Sequence, residues 1–189
     1  QKPHQYLHKE ISMKDHYHFV TKCLHWGIAI SIMGMLILGF SFNWITNKSL
    51  QVTLIQWHKA FGLCVLVFIM LRIIWHVVSE HPAQPVSVSK IEASCARGVQ
   101  WSLMIMTLLL PLSGWIMSTA SGRTTSIFGL FSLKAPGVSK DAHVSWWMWV
   151  AHHWGAWLII GLMALHIVAA FWHHCVNKNN ILSRMLPSR

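Results

Sequence analysis

AHVSWWMWVAHHWGAWLIIGLMALHIVAAFWHHCVN, residues 142–177, holds no Asp, Glu, Lys or Arg and sets His152 and His166 fourteen residues apart. A charge at the centre of a bilayer helix costs roughly 3 kcal/mol on insertion scales. A charge-free run of this length, rising ~1.5 Å per residue, exceeds the ~30 Å hydrocarbon thickness. It therefore reads as a membrane-spanning helix.

Working outward, the same criterion finds three more spans. Cys23 to Asn47 and Gly98 to Gly122 are each 25 residues without a charge. Pro111 in the second of these is tolerable in a membrane helix whose neighbours satisfy the freed carbonyl. The remaining span, about Thr53 to Val78, is uncharged from Ala60 to Leu71 but carries Lys59 near its start and Arg72 near its end. The first span is too long for a signal-peptide h-region and has no small-residue cleavage site close behind it, so it is expected to remain in the chain. The expected fold is all-α, an integral membrane four-helix bundle. A 1–18 N-terminal extension leads into a 19–176 domain with helices of about 20–44, 53–78, 97–119 and 148–175, and a 177–189 tail follows.

The composition agrees. Of 189 residues 54% are apolar, only five are acidic and fourteen are histidine, with a mean hydropathy of +0.45. This excludes a disordered tail, a disulfide-knit module and a coiled coil. The net charge of +10 comes from lysines and arginines scattered singly, with no basic run or recognition-helix pattern, so no nucleic-acid partner is expected. Cys23, Cys64, Cys95 and Cys175 form no C-x-x-C and read as small apolar residues. Nine basic residues flank the spans on the side of the termini (Lys2, Lys9, Lys14, Lys22, Lys90, Arg97, Lys178, Arg184, Arg189). Five lie on the other (Lys48, Lys59, Arg123, Lys134, Lys140), a bias that places both termini in the cytoplasm. Trp44, Trp57, Trp146, Trp147, Trp149 and Trp154 would form an outer aromatic belt.

Ionisable groups inside spans are functional candidates. With this orientation His25 and His166 lie at the inner depth, and His58 and His152 at the outer one. Fourteen residues turn a helix to about 40° short of four turns and advance it roughly 21 Å, so one face of the last helix carries imidazoles at two depths. Two opposed histidine pairs can then form across the bundle, His25 with His166 and His58 with His152. That arrangement suits two b-type haems, each needing only two axial ligands and an apolar pocket between helices. Zinc would need three or four converging ligands. A lone membrane histidine can also serve as a hydrogen-bonding bridge between helices. His76, eighteen residues after His58 on the same face, competes for the inner position. His153 points to another face, and His16, His18, His173 and His174 read as helix-end residues.

Arg72, fourteen residues after His58, shares the inner depth. It either meets the propionates of an inner haem, with bidentate geometry available, or snorkels to the interface; the spans contain no carboxylate. Lys59 has the same two readings at the outer side. Gly62, Gly155 and Gly161 could admit a porphyrin or serve close helix packing.

KCLHW (22–26), IQWHKAFG (55–62), the two histidines of the last span, Arg72 and the closing HHCVNKNNILSRMLP together resemble the bacterial cytochrome b561 family. The resemblance runs from the first helix to the C-terminus. It implies the same two haem pairs, a multi-pass protein of the bacterial inner membrane surrounded by lipid, and electron exchange with quinone. Some members of the family oxidise superoxide at the outer surface and pass the electron to ubiquinone. Family members begin shortly before the first haem histidine, which would make Met13 a natural initiator and residues 1–12 an extension, expected to be poorly ordered.

Bis-histidine ligation leaves no open metal position and favours electron transfer over oxygen activation. The functional expectation is a di-haem oxidoreductase moving electrons between quinone and an outer-side donor or acceptor, with superoxide as one candidate. The alternative is a membrane-anchor subunit that relays electrons from a hydrogenase or dehydrogenase partner protein to quinone. A histidine-lined metal transporter would need intramembrane carboxylates that the spans lack.

Overall fold

Capping residues set where the helices start. A computed structural model of the chain describes residues 17–79, 89–178 and 181–186. The His18 side chain accepts from the Val20 amide at the head of α1 (Phe19–Ser41), which runs into a 3₁₀ turn at Phe42–Trp44. Asn47 caps α2 (Lys48–Val78) through the Leu50 amide. Ser89 and Glu92 form a reciprocal capping box on α3 (Lys90–Ala120). Asp141 accepts from the amides of His143 and Val144 at the head of α4 (Ala142–Cys175). A short α5 (Ile181–Met185) follows.

α2, α3 and α4 thus begin about five to seven residues before the expected 53, 97 and 148. The reason is physical: the absence of charge marks the hydrocarbon, whereas the helix itself continues through the headgroup layer until a cap stops it. At 31, 31 and 34 residues these helices are roughly 46–51 Å long, well beyond the ~30 Å that needs to be apolar. All four long helices are long and apolar enough to cross a membrane. The expectation for residues 1–12, His16, and the 80–88 part of the connection before α3 lie outside the described residues.

Ile28, Ile32, Leu63, Val65, Leu66, Ile69, Leu110 and Ile159 form the buried core at mid-length of the helices, with Ile69 and Ile159 essentially inaccessible. Outside it the bundle is apolar as well: Ile37, Val77 and Val168 are each more than 60% exposed. Such a surface would aggregate in water and matches lipid.

The segment between α3 and α4 contains an element the all-helical expectation did not include. β1 (Thr125–Ile127) pairs antiparallel with β2 (Phe131–Leu133) in the register Thr125↔Leu133 and Ile127↔Phe131. Phe128 and Gly129 both take positive φ (50° and 79°), the backbone of a tight hairpin turn. The hairpin sits at the end of the bundle opposite the termini.

Candidate functional site

Two histidine pairs face each other between helices. At the terminal end, His25 of α1 and His166 of α4 have ring centroids 6.2 Å apart, with planes at 61°. At the hairpin end, His58 of α2 and His152 of α4 are also 6.2 Å apart, at 79°. All four side chains are half-buried. A metal bound between two imidazoles needs two bonds of about 2 Å. Adding the half-width of each ring, a little over 1 Å, gives a centroid separation of about 6 Å. Both pairs match that spacing. Among the described residues no three His, Cys, Asp or Glu side chains converge on a common point, so each pair stands as a two-ligand arrangement.

The His152 ring is fixed by α3. Its Nδ1 lies 2.9 Å from the Leu110 carbonyl oxygen. A carbonyl can only accept, so Nδ1 carries the proton and the lone pair is left on Nε2, the nitrogen a metal would take. The Ser113 hydroxyl donates to the same carbonyl at 2.7 Å and lies 3.2 Å from Nδ1. Gly114 completes this wall: a Cβ there would stand 2.9 Å from Cε1 and 3.1 Å from Nδ1 of His152. Gly39 plays a weaker version of this part for His58, at 3.3 Å from Cε1. The buried Nδ1 of His58 has no hydrogen-bond partner, and Phe42 packs edge-on against the ring at 5.4 Å.

His76 is not part of either pair; its ring packs edge-on against Trp101 at 5.3 Å, and it lines a cavity of about 20 Å³ with Thr21, Arg72, Trp75 and Ser79. His153 stacks on Trp149 at 5.3 Å with planes at 12°. His18 caps α1, and His173 accepts from the Asn177 amide at 3.1 Å. Half-buried Arg72 acts electrostatically on both His25 and His166. Lys59, next to His58, spans from α2 to the loop before the hairpin, donating to the Thr124 carbonyl at 2.6 Å and the Ser118 hydroxyl at 3.2 Å.

Of the glycines singled out in the sequence, Gly155 packs against Leu110 and Met106, Gly62 approaches Met35, and Gly161 faces open space. These are packing positions, and the glycines that touch ligand-type rings are Gly39 and Gly114. A signal for Gly39 exists, since it stands fourteen residues after His25 and so repeats the spacing of His152 to His166. Nothing in the sequence points to Leu110, Ser113 or Gly114, because α3 carries no histidine in its span.

The residues present fit b-type haem: imidazoles are paired at the right spacing at both levels, and at the hairpin end one ring has its tautomer set and glycines stand where a side chain would collide. Comparisons with known proteins run the same way. The family model described as prokaryotic cytochrome b561 matches residues 16–188. Cytochrome b561 homolog 2 of Escherichia coli (strain K12) is 28% identical over 176 residues, covering 91% of this chain and 92% of that protein. A Yersinia pestis protein named probable superoxide oxidase CybB is 26% identical over 180 residues, covering 91% of this chain and 98% of its own. Cytochrome b561 homolog 1 of Escherichia coli (strain K12) is 36% identical over 89 residues, 46% of this chain and 48% of that one.

Proposed function

This chain belongs to the prokaryotic cytochrome b561 family, and on that premise we propose that it is a di-haem oxidoreductase carrying electrons between quinone and superoxide at the outer face. Membership makes it a multi-pass inner-membrane protein of electron transport, with b-type haem implied. The finer reading rests on one observation, the two histidine pairs at matching 6.2 Å separations at opposite ends of the bundle.

In this reading His25 with His166 and His58 with His152 would each hold one haem. Haem, when bound, supplies one-electron chemistry at each level. The chain's own work is positional. Leu110 and Ser113 hold His152 with Nε2 free; Ile69 and Ile159 keep water out between the levels; Arg72 offsets carboxylate charge at the inner level. The termini lie in the cytoplasm, so the hairpin end is the outer face, and Lys48, Lys59, Arg123, Lys134 and Lys140 give it a positive field that draws an anion. The name of the Yersinia pestis relative supports superoxide as that anion. The overall balance is two superoxide anions giving one electron each, quinone taking two electrons and two protons to become quinol, and two dioxygen molecules released.

The test is a pyridine haemochrome assay on detergent-purified protein, followed by mixing with superoxide and a ubiquinone analogue. Two b haems per chain and superoxide-dependent quinol formation are expected. One haem, or none after haem-replete expression, sinks the paired-histidine reading; two haems that superoxide cannot reduce sink the choice of substrate.

A further inference from the structure

The tail that closes the chain folds back onto the turn of α1 that carries His25. Lys22, three residues before His25 and only 7% exposed, donates from Nζ to the Leu186 carbonyl at 2.9 Å. Trp26, one residue after His25, donates from Nε1 to the Met185 carbonyl at 3.0 Å. α5 is thus latched to both sides of a proposed ligand over a separation of about 160 residues. The latch carries Arg184 inward, where it is 9% exposed, an uncommon state for a guanidinium.

Arg184 and Arg72 both lie at this end of the bundle. Both act on Tyr17, whose phenol burial holds above its ordinary pKa against the two positive charges. Arg72 in turn acts on His25 and His166. α2 and α5 thus bring a half-buried and a buried guanidinium to the same end of the bundle, and a fork of N–H donors suits a carboxylate. A b-type haem carries two carboxylates.

We propose that Arg184, delivered by the α5 latch, is a second anion-holding residue beside Arg72 for the propionates of the haem bound by His25 and His166. This rests on the di-haem reading above. It extends that reading by making the C-terminal helix part of the inner cofactor site, a positioning element that sets the inner potential. A positive charge close to an iron favours the reduced form, so loss of the charge lowers the midpoint potential of that haem alone.

The experiment compares full-length wild type, Arg184→Gln, Arg184→Lys and Trp26→Phe by haem stoichiometry and redox titration of the visible spectrum. In Arg184→Gln one of two midpoints moves down while the other stays, and Arg184→Lys stays close to wild type. Loss of a single haem in Arg184→Gln that Arg184→Lys restores supports the same assignment. If Arg184→Gln does not insert, Trp26→Phe, which loosens the latch without changing charge, must show a smaller downward shift of one midpoint. Two bound haems with unchanged midpoints in Arg184→Gln, or in Trp26→Phe where that variant decides, overturn the inference. So does a shift seen in anionic-lipid nanodiscs but not in phosphatidylcholine ones, which assigns the site to a lipid headgroup. Wild type lacking two haems is a different failure, that of the di-haem reading.

Discussion

An imidazole offers a metal only the nitrogen that its other hydrogen bond leaves free, and at His152 that choice is made by the Leu110 carbonyl. The ring cannot turn away without breaking this bond, and only a glycine at position 114 leaves it room beside α3. Gly114→Ala places a methyl 2.9 Å from the ring, so it is expected to lose most of one haem as read by pyridine haemochrome. Gly39→Ala, at 3.3 Å from His58, is expected to keep both haems with an altered low-spin EPR signal. Gly161→Ala, facing open space, should leave both untouched. Equal behaviour of the three would mean that the glycines do not shape the haem sites. His76→Ala is expected to retain two haems and His166→Ala only one, because the structure sets His166 opposite His25 and His76 against Trp101. The pairing was legible because helical geometry alone fixes depth and face at a fourteen-residue spacing. The Leu110 contact was not, since a backbone carbonyl on another helix leaves no residue-type signature.

At the scale of elements, the hairpin is stapled to the turn of α2 that carries His58. Phe128, in a left-handed backbone conformation at φ 50°, packs on Trp57 at 5.7 Å and Phe61 at 5.2 Å, the residues on either side of His58 and Lys59. Lys59 adds the bond to the Thr124 carbonyl, and Thr119 Oγ1 accepts from the Ala135 amide at 2.9 Å to hold the far strand's exit. A hydrogen bond to a charged donor contributes about 1.5–3 kcal/mol when desolvated. Lys59→Met is therefore expected to raise amide exchange across residues 124–133 by about tenfold or more, with haem content unchanged. Exchange at the wild-type rate would show that the aromatic contacts alone carry the hairpin. Four long helices were readable from long runs with few or no charges because the bilayer penalises charge along a span. The hairpin was not, because six short-strand residues around Phe128-Gly129 carry too little pattern and their partner surface lies on a distant helix.

At the scale of the whole molecule, the two histidine levels matter only in relation to the membrane, and orientation is what assigns quinone, superoxide and the latch to their sides. The nine-to-five excess of basic residues at the terminal end is the ground on which that end is proposed to be cytoplasmic. The cysteines report on it: Cys23, Cys95 and Cys175 are exposed and lie at the start of α1, the start of α3 and the end of α4, all at the terminal end. Cys64 lies mid-way along α2, at hydrocarbon depth. A membrane-impermeant maleimide is expected to leave the wild-type chain unlabelled in spheroplasts and to label Cys175 in inverted vesicles. Lys134→Cys, in the exposed segment after β2, should reverse this by adding a site labelled in spheroplasts. The opposite pattern would put the positive hairpin end in the cytoplasm. The field that draws an external anion would then face the wrong compartment, and the histidine pairs would stand while superoxide from outside could no longer be the donor.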